Sequence, residues 1–418
     1  MRSSVSRQLV ELIAPVLADP GDATDVRALA LALVGAGEPE LASRGLAAAC
    51  RLFAAAGQLP MALVAVKELE PVDEATAAKL VDELQRRYGP GSTQVDPAFR
   101  AAPPRVTDDP PGRPPSPKQA RAKAVEAVAA AEAEAVRRGG ARLPKIPLFH
   151  HLGPTSFRRL VERVELQERS TGEVVVEAGE PGVSCFVIAR GTVRIERPRA
   201  DGEPLLLSHL RGGALFGEMA LLTDSPRNAR AVCESPTLLF ELSRPSVEEL
   251  AAAAPELAAV LADHTRDRLL QNLMLTSGLF SPLGLEARGR LVARFEPRAF
   301  APGELLLEEG AEGGHLHVLL SGEVAVEKRE GGDLLTITRL GPGEVVGEIS
   351  LLSHRPATAT VRARSRTLTL ALARADFAAV VGEVPELIAH LYQVAMAREQ
   401  DLARFLADAV VEADEYLI

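Results

Sequence analysis

The sequence predicts a multidomain α+β protein in which an all-α N-terminal domain precedes two tandem β-roll (jelly-roll) domains with flanking helices. A turn motif occurs twice, at Gly217-Glu218 and at Gly347-Glu348, and a proline follows each copy at nearly the same distance. The glycines around the two copies repeat at a nearly constant displacement of about 130 residues, which indicates a duplicated domain. Residues 1–88 instead carry the apolar periodicity of helices.

Each copy is predicted to be rich in short strands and to end in helices. Apolar runs such as Val174-Val175-Val176 and Leu305-Leu306-Leu307 are separated by glycine and proline clusters, which is typical of a sandwich or jelly roll. After each motif the strand pattern ends. The composition there, rich in Ala, Leu and Glu, predicts helices over residues 246–275 and 375–407.

These patterns divide the chain into five segments. Prolines between residues 103 and 117 exclude helix and central strand there, so this stretch is predicted to be an extended linker. The segments are an all-helical domain (1–88), a Pro-rich linker (89–118), a connecting helix (119–142), a first β-roll domain (143–275) and a second, degenerate one (276–418).

The repeated motif has the chemistry to hold a small ligand that carries a sugar hydroxyl and a phosphate. An ionised Glu only accepts hydrogen bonds, so it suits a hydroxyl donor, whereas the planar fork of Arg fits phosphate oxygens. The first candidate site comprises Phe216, Gly217, Glu218, Met219, Ala220, Pro226, Arg227, Asn228 and Ala229. The second and weaker candidate site comprises Gly347, Glu348, Ile349, Ser350, Arg355, Thr358 and Ala359.

With these motifs, residues 145–410 or so resemble the cyclic nucleotide-binding domains of bacterial catabolite activators, kinase regulatory subunits and gated channels. The resemblance implies that Glu218 takes the ribose 2′-hydroxyl and Arg227 the cyclic phosphate. In the second copy Glu348 matches, but Ala357 stands where the family has Arg, and Arg355 lies two positions early. We therefore expect one cAMP or cGMP per chain, in the first roll.

Residues near the end of the first domain are expected to cover that ligand. Leu269, Leu270 and Leu273 are the apolar candidates for this lid.

The N-terminal helices resemble a tetratricopeptide-type hairpin, with small residues between the helices and Gly57 at a turn. This resemblance implies a surface that docks a protein partner; a helical bundle without a partner is the other interpretation. Further along, Arg137-Arg138-Gly139-Gly140 resembles the inhibitory segment of kinase regulatory subunits. The stronger interpretation is structural: arginines near a helix C-terminus interact favourably with the helix dipole, and the glycine that follows ends the helix.

Composition excludes several functional classes. The net charge of −10 and pI near 5.5 argue against nucleic-acid binding, and no apolar run is long enough to span a membrane. The sequence predicts buried free thiols at Cys50, Cys185 and Cys233, which is typical of a cytoplasmic protein. The high content of Ala, Arg, Gly and Pro is typical of a GC-rich bacterium. His315 and His317 are predicted to lie on the same face of a strand, but the sequence shows no third residue at a spacing that would complete a metal site with them. We expect neither a cofactor nor an enzyme.

The sequence thus predicts a non-catalytic cyclic nucleotide sensor that signals to a protein partner through its helices, with self-association left open. The alternative is a scaffold that keeps the fold but has lost ligand control. A transcription regulator of the catabolite-activator type fits less well, because few residues follow Ala407 and a DNA-reading helix-turn-helix needs more.

Overall fold

The fold was analysed in a computed structural model of the chain. The structure describes residues 2–96, 115–116, 119–144, 149, 151–198, 203–223, 225–280, 283–330, 333–353, 355–383, 389–398 and 400.

The N-terminal region is helical, as predicted. Asp22 and Asp73 start the second and fifth helices, because their carboxylates accept hydrogen bonds from backbone N–H groups of the first turn. The helices are α1 (Arg2–Ala18), α2 (Ala23–Gly35), α3 (Pro39–Ala55), α4 (Leu59–Leu69), α5 (Glu74–Tyr88) and α6 (Ala120–Arg137). Helix α3 lies at the centre and packs against α2, α4 and α6.

A short parallel ladder closes the helical region. Strand β1 (Val95–Asp96), within the segment assigned to the linker, pairs with β2 (Leu143–Pro144), which follows α6. Residues 97–114, 117 and 118 of the predicted linker lie outside the described residues. The five domain bounds stay predictions.

Both arginines of the basic segment at the end of α6 have partners inside the helical region. Arg137 and Arg138 pair with the buried carboxylate of Glu134, and Arg138 Nη1 also donates to the Gly21 carbonyl oxygen at 3.2 Å. The two arginines therefore lie at the C-terminal end of α6, where both contact Glu134.

The first β-roll is a sandwich of two four-stranded antiparallel sheets, with strand orders β3-β10-β5-β8 and β4-β9-β6-β7. Its strands are β3 (Glu165–Arg169), β4 (Val174–Val176), β5 (Ser184–Arg190), β6 (Thr192–Arg197), β7 (Leu205–Arg211), β8 (Leu215–Phe216), β9 (Arg230–Cys233) and β10 (Thr237–Ser243). Side chains from both sheets, including Phe186, Ile188 and Ile195, fill the space between them.

The second roll repeats this topology strand for strand, with orders β11-β18-β13-β16 and β12-β17-β14-β15. Its strands are β11 (Glu296–Phe300), β12 (Leu305–Leu307), β13 (His315–Ser321), β14 (Val324–Glu330), β15 (Asp333–Leu340), β16 (Val345–Val346), β17 (Thr360–Ala363) and β18 (Thr367–Ala373). The predicted fold class, two tandem β-rolls after an all-α region, is confirmed.

Helices flank both rolls. They are α7 (Pro154–Arg163), α8 (Glu218–Thr223), α9 (Arg244–Ala253), α10 (Pro255–Thr276), α11 (Leu285–Val292), α12 (Glu348–Ser353) and α13 (Arg374–Glu383), and residues 389–398 are also helical. The predicted helical stretch 246–275 is broken at Ala254, which leaves the helical region of φ and ψ because Pro255 follows it. None of the helices that the structure describes is long and apolar enough to cross a membrane.

The helical region and the first roll share one continuous hydrophobic core. Leu63 of α4 meets Phe149, Val187 and Phe240 of the first roll, and Lys67 Nζ donates to the Val161 carbonyl oxygen at 3.2 Å. A shared core of this kind predicts that the two units unfold together.

The three cysteines are free and buried, as predicted. Burial raises the pKa of the Cys50 and Cys185 thiols to about 12. Both thiols are therefore protonated and unreactive at neutral pH.

Substituting Leu63→Ala should destabilise the helical region and the first roll in one transition. The side chain is 2% exposed, and its loss leaves a cavity, for which we expect a decrease of about 2–5 kcal/mol in the free energy of unfolding. Urea unfolding followed by circular dichroism measures this. The same substitution at exposed Leu206 is the control; a helical region and a first roll that unfold in separate transitions, of which only one shifts, would contradict the shared core.

Candidate functional site

The duplicated turn has the same backbone conformation in both rolls. Gly217 and Gly347 have φ angles of 81° and 90°, in the left-handed region that favours glycine. A Cβ on Gly347 would lie 2.4 Å from the His315 carbonyl oxygen, so no larger residue fits. The turn starts α8 and α12, and it directs Glu218 and Glu348 into the rolls, where each residue is 2% exposed.

Arg227 lies inside the first roll beside this turn. Its Nη1 donates to the Gly217 carbonyl oxygen at 2.6 Å, and its Nη2 donates to the Ser184 carbonyl oxygen at 2.7 Å. These bonds hold the guanidinium against the turn and leave its remaining N–H groups for a ligand.

Glu218 is a buried carboxylate whose Oε1 atom has no hydrogen-bond partner among the described residues. Burial raises the pKa of this carboxyl above its usual range, although the Arg268 charge and, more weakly, His264 oppose the shift. His264 Nε2 lies 3.9 Å from Oε1, too far for a hydrogen bond. The site therefore offers an acceptor that is short of a donor.

The predicted residues of the first site converge on one small cavity of about 50 Å³. Of the nine, Pro226 does not line it. The lining consists of Phe216, Gly217, Glu218, Met219, Ala220, Arg227, Asn228 and Ala229, together with Val176, Ile195, Ala231, Arg268 and Asn272.

The lid prediction named the correct helix but the wrong face. Leu269 and Leu270 line a different cavity, between α10 and the second roll, and Leu273 is part of the second roll's core. Polar side chains of α10 cover the first site instead: Arg268 and Asn272 line its cavity, and Asn272 Nδ2 lies 3.8 Å from Met219 Sδ. The four-residue spacing of His264, Arg268 and Asn272 on one helix face was the signal available in the sequence.

The second site surrounds a much larger cavity of about 450 Å³. Six predicted residues line it, namely Gly347, Glu348, Ile349, Ser350, Thr358 and Ala359, and so does Ala357. Arg355 does not: its side chain is exposed, and only its carbonyl oxygen takes part, accepting from Ser350 Oγ at 2.8 Å.

Arg398 is a residue of the second site that sequence reasoning missed. It reaches the cavity from the helical residues 389–398, and its Nη1 donates to Glu348 Oε1 at 2.8 Å and to the Val345 carbonyl oxygen. No sequence signal singles it out, because its partner lies 50 residues away.

A second missed pair anchors the short helices. Arg244 donates to the carbonyl oxygens of Gly182 at 2.8 Å and Leu221 at 3.0 Å, and Arg374 donates to those of Gly313 at 2.7 Å and Ser350 at 3.1 Å. Their identical place in the repeat, directly after β10 and β18, was visible in the sequence.

The histidine pair on β13 has structural partners. His317 Nδ1 lies 3.1 Å from Thr369 Oγ1, and burial, with a smaller effect from His315, lowers the pKa of His317 to about 4. Arg298 Nη2 lies 2.9 Å from His315 Nε2. Within the part of the chain that the structure describes, no three His, Cys, Asp or Glu side chains are grouped to hold a metal ion.

Comparisons with known proteins agree with this geometry. The family model described as cyclic nucleotide-binding domain matches residues 166–254 and again 297–383. The chain is 25% identical over 244 residues to a cAMP-dependent protein kinase regulatory subunit of Blastocladiella emersonii, which covers 58% of each chain. It is 26% identical over 223 residues to the Dictyostelium discoideum regulatory subunit, covering 52% of this chain and 65% of that one.

The chain therefore spans less than two thirds of the length of these curated relatives. Among solved structures, the catabolite activator protein of Thermus thermophilus is 32% identical over 32% of this chain and 63% of its own, with a TM-score of 0.29. Each of the two β-rolls matches the cyclic nucleotide-binding domain model, and their tandem arrangement is similar to that of kinase regulatory subunits.

Proposed function

We propose that the protein is a non-catalytic cyclic nucleotide sensor that binds cAMP or cGMP in its first roll. The observation that carries the proposal is the buried Oε1 of Glu218, which has no donor among the described residues and faces the same cavity as Arg227. A ribose hydroxyl would supply the missing donor, and the guanidinium would bind the cyclic phosphate. The curated relatives, which are regulatory subunits of cAMP-dependent kinases, support the choice of ligand.

The charges around the first cavity favour an anion. Two arginines, Arg227 and Arg268, line it beside a single carboxylate, that of Glu218. A cyclic nucleotide carries one negative charge on its phosphate, so its binding brings the buried charges close to balance.

Helix α10 would couple ligand binding to the rest of the chain. A cavity of about 50 Å³ is too small for a nucleotide, since small-molecule pockets are typically ~300–1,000 Å³. Binding therefore requires Arg268 and Asn272 to move away from the turn. The ligand can shift the position of α10 only by its difference in affinity for the two arrangements.

The output we propose is a protein partner bound through the N-terminal helices, in the cytoplasm. The hairpin of α3 and α4, with its turn at Gly57, is proposed to be tetratricopeptide-like. Because this region shares its core with the first roll, a change in the roll is transmitted to it without a flexible joint. The name of the curated relatives makes a protein kinase the first partner to test.

Removing the phosphate-binding side chain should weaken nucleotide binding. Arg227→Ala leaves a phosphate without its charged donor, which costs about 2–5 kcal/mol, so affinity should fall more than tenfold. Calorimetric titration of the full chain with cAMP and with cGMP measures this. Arg355→Ala, which removes an exposed arginine near the second site, is the control and should change nothing; unchanged binding in Arg227→Ala would refute the assignment.

Replacing Glu218 should change nucleotide binding and the stability of the ligand-free protein in opposite directions. Because burial raises the carboxyl pKa in the folded state, the folded protein holds the proton more tightly than the unfolded chain does. The free energy of unfolding of the wild type therefore decreases as the pH rises from the Glu218 pKa of the unfolded chain to that of the folded protein. Above both pKa values the full cost of burying the ionised carboxylate is present.

Glu218→Gln should consequently increase the unfolding free energy of the ligand-free protein at pH 7, by about 1 kcal/mol, while weakening nucleotide binding. The gain should vanish at about pH 3, below the ordinary Glu pKa, where Glu is protonated in both states. Thermal unfolding across this pH range measures it. Glu348→Gln is the matched control with the opposite sign, because it removes a carboxylate already paired with Arg398. A loss of stability in Glu218→Gln at pH 7 would show that the carboxylate has a partner.

A further inference from the structure

A ligand-sized cavity that belongs to neither duplicated turn lies between α10 and the second roll, and we call it the interdomain cavity. It measures about 420 Å³, within the ~300–1,000 Å³ typical of small-molecule pockets. Its apolar lining includes Leu269 and Leu270 of α10 and, from β13 and β18, Leu320, Leu368 and Leu370. An apolar molecule fits between these two walls.

The corresponding sheet face of the first roll is filled by the protein itself. Phe240 of β10 and Leu370 of β18 hold the same place in the repeat, displaced by 130 residues (370 − 240). Beside Phe240, Leu63 of α4 and Phe149 leave a gap of about 10 Å³, whereas about 420 Å³ separates Leu370 from α10. Packed protein interiors leave few voids larger than a water molecule, so the second roll has room here for an apolar ligand.

The charges of the interdomain cavity favour an anionic group on that ligand. Of the described residues that line it, Arg266 and Arg298 are charged and none is acidic. Arg266 lies 3.4 Å from Asp263 and 3.8 Å from Asp267, which partly balance its charge. Arg298 Nη2 instead lies 2.9 Å from His315 Nε2, and burial, followed by the Arg298 charge, lowers the pKa of His315. His315 is therefore neutral at pH 7, and Arg298 keeps its positive charge for a ligand.

Thr265 adds a hydrogen-bond donor that lacks an acceptor. This residue of the cavity lining is 4% exposed, and its Oγ1 atom has no hydrogen-bond partner among the described residues. A buried polar group without a partner is unfavourable, so an acceptor on the ligand would remove this penalty. A carboxylate only accepts hydrogen bonds, and its two oxygens can accept from a hydroxyl and from a guanidinium together.

We propose that the interdomain cavity binds one amphipathic carboxylate of the fatty-acid class. The carboxylate accepts from Thr265 and Arg298, and the apolar chain lies between α10 and the sheet of the second roll. Because the cavity lies between two parts of one chain, it admits a single molecule and not a membrane surface. This binding does not depend on the function proposed for the first roll.

The test is a calorimetric titration of the full chain with decanoate below its micellar concentration. We expect one decanoate per chain. Butyrate, which has the carboxylate without the long chain, and decyltrimethylammonium, which has the chain with the opposite charge, should not bind.

Three variants locate the site. Arg298→Ala should weaken decanoate binding about tenfold or more, whereas Arg290→Ala, which removes an exposed arginine outside the cavity lining, should leave it unchanged. Ala299→Phe should abolish binding, because Ala299 is an exposed residue of the lining and the larger ring occupies the cavity. Thr265→Val should weaken binding without lowering the melting temperature of the ligand-free protein, since it removes a hydroxyl that has no partner.

Each of three results would overturn the proposal. The first is no saturable binding of decanoate. The second is equal binding of decanoate and decyltrimethylammonium, which would show that the arginines do not select the head group. The third is decanoate binding that survives unchanged in both Ala299→Phe and Arg298→Ala, which would place it outside this cavity.

Decanoate should also weaken nucleotide binding, and this consequence rests on the function proposed for the first roll. A ligand of the interdomain cavity favours the position of α10 in which Arg268 and Asn272 cover the first site. Saturating decanoate should therefore lower the affinity for cAMP, and cAMP should lower the affinity for decanoate by the same factor. In Arg298→Ala both effects should be reduced.

Two outcomes separate this consequence from the proposed function. Absence of cAMP binding with and without decanoate would refute the function proposed for the first roll and leave the decanoate site standing. An unchanged cAMP affinity in saturating decanoate would refute the coupling through α10.

Discussion

The conformation of one glycine in each roll determines where the ligand chemistry can be. The left-handed backbone at Gly217 and Gly347 lets the chain pass within contact distance of strand β5 or β13 and turn at once into a short helix. The residue that follows must then point into the roll, and in both copies it is a glutamate. A buried carboxylate is unfavourable without a donor, so each site has to find one, and the two rolls do so differently.

In the first roll Glu218 Oε1 has no hydrogen-bond donor among the described residues, and the surroundings are cationic. Arg227 supports the turn through two carbonyl oxygens, and Arg268 approaches from α10. In the second roll the same backbone carries Ala357, and Arg398 from the far end of the chain supplies the donor to Glu348. Duplication preserved the geometry while the charge balance diverged, and the charge balance selects which ligands can be buried.

Helix α10 connects the two ligand sites because its different faces contact different domains. Arg268 and Asn272 cover the first cavity, whereas Leu270 and Leu273 pack against the second roll. Near its beginning, Leu261 belongs to the core that joins the helical region to the first roll. A displacement of this helix would therefore change its contacts with the helical region, the first roll and the second roll. The proposed sensor needs such a connection, because its ligand site and its partner surface lie in different domains.

The sequence by itself determined the duplication, the strand-rich character of each copy, the Gly-Glu turns and the loss of arginine at Ala357. These follow from local chemistry: glycine is needed where φ is positive, alternating apolar residues form strands, and a repeat preserves spacing. It also predicted the helices of residues 1–88, since their periodicity and caps are local.

Only the tertiary structure decided which side chains meet across long separations. Arg398 and Glu348 lie 50 residues apart, and no local pattern predicts their bond. The sequence prediction chose the apolar face of α10 for the first site and was wrong, because that helix is apolar on one side and polar on another and both sides are covered. Which side of α10 covers which roll depends on how the two domains pack against each other. The spacing of apolar residues within one helix shows that the helix has an apolar face, but it does not show which domain that face contacts.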